Sequence, residues 1–240
     1  EVGPGQGALT RQLVHHANVV IAIEIDPLLA GSLTERLGNP PGLKVSNADA
    51  RAVDLARILD GIGKYKVVAN LPYYAANPIL RHFLESLTHR PSLMVVMVQE
   101  EVAKRMVAQS GRMSLLAVGV QLFGAPRIIC RVPPAAFRPP PKVYSAVVKI
   151  DNFSHPAIEM ESEDEFFGLV RAGFFAPRKQ IRNSLMLGLG ISAPDVNSIL
   201  ELAGLDPKLR PENLSIEDWG NLYRAGKGTW TVGNPSLREN

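Results

Sequence analysis

The chain has very little cysteine: Cys130 is the single one in 240 residues. It cannot close an internal disulfide, so nothing in its cysteine usage marks an oxidising compartment. Long hydrophobic runs are missing too. The longest apolar stretches, such as Leu93 to Val98, fall far below the roughly 20 residues that cross a bilayer as a helix. Aromatic residues are scarce at 6%, yet hydrophobic residues make up 46% and charged residues 20%. That balance is ordinary for a globular protein and excludes general disorder. A chain of this length buries roughly 70–75% of its unfolded surface, so it needs neither a disulfide nor a metal to hold a core. Collagen-like, membrane-helical, disulfide-scaffold and disordered classes are excluded.

The most informative scarcity is of acids. Net charge is only +3, with 26 Lys and Arg against 23 Asp and Glu. From Val102 to Ile150, however, there is no Asp or Glu, while Lys104, Arg105, Arg112, Arg127, Arg131, Arg138, Lys142 and Lys149 are all present. Phe166 to Pro194 is again free of acids and carries Arg171, Arg178, Lys179 and Arg182. Between these spans lies an acidic patch of Asp151, Glu159, Glu161, Glu163, Asp164 and Glu165. Positive charge segregated in this way is the electrostatic footprint of a polyanion binder. The competing reading is a set of scattered, solvated surface charges.

The first half alternates apolar runs with helix-like segments. Val19 to Ile23, Lys66 to Ala69 and Leu93 to Val98 read as buried parallel strands, and Leu43 to Val45 as a shorter one. Ala8 to His16, Pro27 to Leu37 and Asn77 to Leu87 carry helical spacing. Alternation of this kind predicts βαβ units and a parallel sheet. Leu115 to Phe123, Arg127 to Val132 and Val143 to Ile150 read as antiparallel strands added at the sheet edge, with a stiff proline loop before the last. Beyond the acidic stretch, helices are expected over Glu165 to Phe175, Ile181 to Leu189, Ala193 to Ala203 and Ile216 to Arg224, two of them opened by Ser192 and Ser215 as caps. The expected organisation is an α/β domain over 1–152, a small all-helical domain over 153–225 and a frayed tail over 226–240. Because Glu1-Val2-Gly3 opens where a strand should run into a loop, the chain is expected to lack its first strand and N-terminal segment.

Three features sit where strands should end. Gly3, Gly5 and Gly7 form a Gly-x-Gly-x-Gly turn ahead of a helix, where missing Cβ atoms let a ligand approach the backbone. The spacing is not the dinucleotide Gly-x-Gly-x-x-Gly, and a plain tight turn would also explain it. Glu24 closes the second strand and could accept both hydroxyls of a ribose; Asp49, before Ala50, could accept an adenine amino group. The sharpest signal is Asn70-Leu71-Pro72-Tyr73, directly after a strand. The exocyclic amine of adenine is a poor nucleophile because its lone pair is delocalised into the ring. The Asn70 oxygen and a nearby carbonyl can bind its two hydrogens and localise that lone pair in the transition state. Pro72 stiffens the turn, and Tyr73 offers a face for an extruded base.

Taken together these motifs resemble the KsgA-type ribosomal RNA adenine dimethyltransferases. The resemblance is carried by Glu1-Val-Gly-Pro-Gly-Gln-Gly7, Ile21-Ala-Ile-Glu-Ile-Asp26, Asn47-Ala-Asp49, Asn70-Leu-Pro-Tyr73, Phe137-Arg-Pro-Pro-Pro-Lys-Val143, Arg178-Lys-Gln-Ile-Arg-Asn-Ser-Leu185 and Arg210-Pro-Glu-Asn-Leu-Ser215. It extends to about Tyr223. It implies a Rossmann-like S-adenosylmethionine methyltransferase sheet with a helical RNA-binding domain. It also implies dimethylation of N6 on two adjacent adenosines in the 3′-terminal hairpin loop of small-subunit ribosomal RNA, within an immature subunit. Gly3, Gly5, Gly7, Glu24, Asp49, Ala50 and Asn70 are then cofactor-binding. Asn70, Leu71, Pro72, Tyr73 and Phe137 are catalytic, with Phe137 against the target base. Arg112, Lys142, Arg178, Lys179 and Arg182 would meet the RNA backbone, where contacts position rather than specify. No metal is implied, and a monomeric, cytoplasmic, membrane-free protein is.

Two departures from the family pattern stand out. An N-terminal Gln-Asn-Phe-Leu-type motif that closes over the cofactor is absent, so this chain is expected to bind S-adenosylmethionine poorly or not at all. Tyr74-Ala75-Ala76 replaces the more frequent Asn-Ile-Ser after the catalytic tyrosine. Three alternatives stay open: an Erm-type large-subunit methyltransferase; a DNA or protein-glutamine methyltransferase, whose usual Pro-Pro-Tyr is broken by Leu71; and a ribosome-assembly factor that keeps the fold with weak or no catalysis.

Overall fold

The computed structural model describes residues 1–86 and 89–228. They form two compact units, one of residues 1–104 with 123–154, the other of residues 105–122 with 155–228.

In the first unit β1 (Val20–Glu24) pairs in parallel with β2 (Leu43–Asn47), and β3 (Lys66–Asn70) in parallel with β4 (Leu93–Gln99). The antiparallel strand β6 (Ser145–Asn152) lies between β4 and β5 (Gly124–Val132), giving the order β3-β4-β6-β5. Val2 makes a single parallel bridge to Ile23. Helices α1 (Ala8–Leu13), α2 (Pro27–Arg36), α3 (Leu55–Ile58) and α4 (Ala76–Leu84) connect the parallel strands, and α5 (Glu100–Met106) follows β4. This is the expected βαβ alternation, with α3 and α5 in addition. The expected helix end at Leu87 lies outside the described residues.

Local chemistry explains the elements. The Asp26 carboxylate accepts the N–H groups of Leu28 and Leu29 at 2.8 and 3.2 Å, with Pro27 as the first residue of α2; this satisfies amides that the helix cannot. Met94, Val96 and Val98 alternate along β4 with no exposed surface. Helix α4 buries Ile79, Leu80, Phe83 and Leu84 on one face, worth roughly 1.5–3 kcal/mol per side chain.

One element departs from the sequence reading. Leu115–Phe123 is a helix, α6, and not an edge strand. Ala117, Val118, Val120, Leu122 and Phe123 are all buried, so the segment is apolar on nearly every side. Gln121 donates from Nε2 to the carbonyls of Met106 and Ala108 at 2.9 and 2.7 Å, which satisfies its amide nitrogen inside this core. The antiparallel strands at Arg127 to Val132 and Val143 to Ile150 form as β5 and β6.

Helices α6, α7 (Glu163–Gly173), α8 (Ile181–Leu189), α9 (Ala193–Leu202) and α10 (Ile216–Ala225) build the second unit. Residues 105–122, assigned by sequence to the first domain, thus group with the helical unit. Its core contains Phe166, Leu169, Leu185, Leu200, Trp219 and Leu222. Ser162, Ser192 and Ser215 cap α7, α9 and α10. Helices α7 and α8 approach closely enough that a Cβ on Gly188 would lie 2.5 Å from the Ala172 Cα. The expected frayed tail falls, from residue 229, outside the described residues.

Candidate active site

The carboxyl ends of β1, β2 and β3 deliver Glu24, the Asn47–Asp49 turn and Asn70 to one side of the first unit. There they line an open cavity of about 430 Å³, within the range of small-molecule sites. Its wall also includes Val2, Gly3, Ala50, Arg51, Leu71, Pro72, Tyr73, Tyr74 and Phe137, with Pro139 and Pro141 of the loop before β6. Gly3, Glu24, Asp49, Ala50, Asn70, Leu71, Pro72, Tyr73 and Phe137 are therefore neighbours, although they span the sequence from residue 3 to residue 137. Gly5 and Gly7 are not on the wall.

Those two glycines serve the wall from behind. The Gly5 N–H donates to Glu24 Oε2 at 3.1 Å, and the Asp26 N–H donates to Oε1 at 3.1 Å. The buried Glu24 carboxylate is thereby fixed by one backbone donor on each oxygen. A carboxylate has about four acceptor positions, so one on each oxygen remains, enough for the two hydroxyls of a ribose. Gly7 has φ +83°, and a Cβ there would meet Leu33 Cδ1 at 2.8 Å. It lets the loop pack on α2.

Asp49 is engaged by a residue the sequence reading passed over. Arg51 donates from Nε to both carboxylate oxygens at 3.0 Å, from Nη2 to Oδ2 at 2.6 Å and from its backbone N–H to Oδ1 at 2.9 Å. These bonds, the guanidinium's first, hold the exposed carboxyl down at about 2 against an ordinary 3.8. Asp49 is an anionic acceptor throughout the neutral range, and an incoming adenine amine would share it with Arg51. The only local signal for this was a cation two residues after a strand-end acid.

The Asn70–Tyr73 turn is built for access. Asn70 ends β3 opposite Met97, and its exposed side chain makes no hydrogen bond among the described residues. The Leu71 N–H donates to the Met97 carbonyl at 3.1 Å, and the Pro72 carbonyl accepts the Ala75 N–H at 3.0 Å. Among the described residues no donor reaches the Leu71 carbonyl, which stands beside Asn70 as a second acceptor. Leu71 is itself buried, so its contribution to the surface is backbone and its side chain anchors the turn. Tyr73 is half-buried, and its hydroxyl shares a hydrogen bond of 2.7 Å with Ser145 Oγ. Tyr74, 80% exposed, lines the mouth; in the sequence it stands out only as a departure from the family pattern, and Ser145 carries no signal at all. The donor set of two strand-end carboxylates, unpaired acceptors and aromatic faces fits an adenosine-type cofactor together with a second planar base. Among the described residues no group of three or more His, Cys, Asp or Glu side chains could hold a metal ion.

The acid-free span is partly neutralised from its ends. Glu100 pairs with Lys104 and Arg131, each at 2.9 Å, and Asp151 with Lys149 at 2.8 Å and Arg127 at 3.7 Å. Arg105, Arg112, Arg138 and Lys142 make no ion pair among the described residues and are exposed. In the second unit Arg178 and Lys179 are likewise exposed and without an ion pair. Arg182 is half-buried with its Nε lacking a partner. All five residues expected to meet RNA are thus among the uncommitted cations.

Comparison with known proteins agrees with this geometry. Residues 1–225 match the family described as "Ribosomal RNA adenine dimethylase". The "Ribosomal RNA small subunit methyltransferase A" of Dehalococcoides mccartyi is 46% identical over 222 residues, covering 92% of this chain and 76% of that protein. Its counterpart in Moorella thermoacetica is 42% identical, covering 93% and 81%. Among solved structures, a dimethyladenosine transferase from Plasmodium falciparum superposes with a TM-score of 0.72 at 25% identity, covering 95% of this chain and 89% of that one. The 23S rRNA methyltransferase ErmE gives 0.69 at 28% identity, covering 93% and 88%. With its strand-end acids, its Asn-Leu-Pro-Tyr turn and a match running from residue 1 to residue 225, the chain belongs to the ribosomal RNA adenine dimethylase family.

Proposed function

We propose that this protein is an S-adenosylmethionine-dependent methyltransferase that dimethylates N6 of two adjacent adenosines in the 3′-terminal hairpin loop of small-subunit ribosomal RNA. The observation that carries this reading is the convergence of Glu24, Asp49, Asn70 and Phe137 on one cavity. S-adenosylmethionine supplies a methyl group bound to a sulfonium, and transfer breaks that S–C bond as an N–C bond forms at N6. Glu24, pinned by Gly5 and Asp26, takes the ribose hydroxyls, and Asp49 takes the adenine amine of the cofactor. Asn70 Oδ1 and the Leu71 carbonyl accept the two N6 hydrogens of the target base. They hold the nitrogen so that its lone pair is available and stabilise the positive charge that develops there. Tyr73 and Phe137 stack the extruded base. Once the methyl has transferred, the N6 proton is acidic and leaves to water, so no strong general base is required.

The exposed cations Arg112, Lys142, Arg178 and Lys179, with the half-buried Arg182, fit a phosphate backbone, and the helical domain serves as the RNA-binding part. The natural target is an immature small subunit, met by a monomer in the cytoplasm. Among the described residues no helix is long and apolar enough to cross a membrane. Small-subunit RNA is favoured over large-subunit RNA because the curated small-subunit relatives are 46% and 42% identical, against 28% for ErmE. Tritiated methyl transfer into separated subunits tests the choice. Incorporation confined to small subunits is expected; equal or greater incorporation into large subunits would overturn it.

A further inference from the structure

Ser145 is one of the few buried polar residues, with no exposed surface. It opens β6, where its backbone pairs with Gln99 of β4 on one side and Val132 of β5 on the other. The Val132–Ser145 pair closes the base of the loop that brings Phe137, Pro139 and Pro141 to the cavity wall. The Ser145 side chain reaches elsewhere: its Oγ bonds the Tyr73 hydroxyl at 2.7 Å across 72 residues of sequence. No other hydrogen bond to that hydroxyl exists among the described residues. Packing alone would accept alanine at this site. A hydroxyl there is costly unless paired, and Tyr73 is its partner.

We infer that Ser145 is a positioning residue, fixing the Tyr73 ring through its hydroxyl and the Phe137 loop through its backbone, and so setting the slot between the two aromatic faces. This rests on the adenine-methylating reading of the same cavity. A tyrosine ring has two side-chain torsions, and the strand-anchored hydroxyl stops the swing about the first, because its oxygen would otherwise sweep away from Ser145. The ring axis is then held in one direction beside the target base, and neither substrate loses a direct contact when Ser145 is changed. Catalysis depends on the near-attack geometry this provides.

A double-mutant cycle tests the inference on the full chain with small-subunit RNA. Ser145→Ala is expected to lower kcat about tenfold while KM for RNA and for S-adenosylmethionine stays within about twofold. Tyr73→Phe, which keeps the ring and loses the hydroxyl, should lower kcat by the same factor, and the double variant no further than either single one. A Ser145→Ala enzyme with parental kcat, or one in which the two losses multiply, would overturn the inference. Should the parent itself transfer no methyl, the functional reading fails, and the cycle is then read from thermal midpoints. Equal and non-additive losses sustain the Tyr73–Ser145 coupling, and additive losses refute it.

Discussion

Replacing Glu24 by glutamine separates the structural part of the cofactor site from its binding part. In the parent each carboxylate oxygen accepts one backbone N–H, from Gly5 and from Asp26, at 3.1 Å. Glutamine can present its oxygen to one of these donors only, and its own NH2 then faces the other. One amide donor is left unpaired behind a side chain that is 6% exposed, at a cost of about 1–3 kcal/mol. A loss near 2 kcal/mol lowers the melting temperature by roughly 4–8 °C for a chain of this size. The amide also loses one of the two acceptor positions available to a ribose. A hydrogen bond to a charged group contributes about 1.5–3 kcal/mol, which is a roughly 10- to 150-fold weaker Kd. Differential scanning calorimetry reads the first quantity, and titration calorimetry with S-adenosylmethionine, below the melting transition, reads the second. A Glu24→Gln protein that binds the cofactor with parental affinity would refute the role given to Glu24. Lost affinity with an unchanged melting temperature would refute the clamp on Gly5 and Asp26.

Asn70→Ala is expected to fold with stability within about 0.5 kcal/mol of the parent, since the side chain is exposed and unbonded. Single-turnover methyl transfer should fall about 10²- to 10³-fold with RNA affinity kept; turnover at the parental rate would remove Asn70 from the reaction. Arg178→Ala with Lys179→Ala should reduce the slope of log affinity against log salt by roughly one to two units, as read by filter binding across a salt series. Arg51→Ala should return the Asp49 titration from about 2 towards its ordinary 3.8, as followed by carboxylate NMR. Because the folded value is the lower one, the ion pair's contribution is present above pH 3.8 and is lost as pH falls through about 2. At this exposed position it is strongly screened.

Much of this was legible in the order of residues. Strands β1, β3 and β4 were visible as β-branched-rich runs because buried parallel strands read as near-continuous apolar stretches; β2, with no buried residue, showed only as a short candidate. Glu24, Asp49 and Asn70 were visible because each closes or follows such a run, and open α/β sheets gather ligands at those ends. Leu115–Phe123 was not, because a continuous apolar run reads the same whether it is a buried helix or a strand. What decides it is the surrounding core of the second unit, including Phe167 opposite Gly119. The neutralisation of half the basic span was hidden too. Its partners, Glu100 and Asp151, lie just beyond the ends of the span and are brought to it by a helical turn and by strand pairing. The Tyr73–Ser145 bond joins residues that share no local pattern; the β3–β4 and β4–β6 pairings together bring them to one place.

The central claim is that this cavity converts adenosine in small-subunit ribosomal RNA to N6,N6-dimethyladenosine. The most direct test incubates the protein with S-adenosylmethionine and unmethylated small subunits, with the Asn70→Ala variant alongside, and identifies the product nucleoside by mass spectrometry of the digested RNA. N6,N6-dimethyladenosine is expected at two adjacent positions near the 3′ end, lost or nearly lost in the variant. A different methylated nucleoside, or dimethyladenosine formed equally well by the variant, would contradict it.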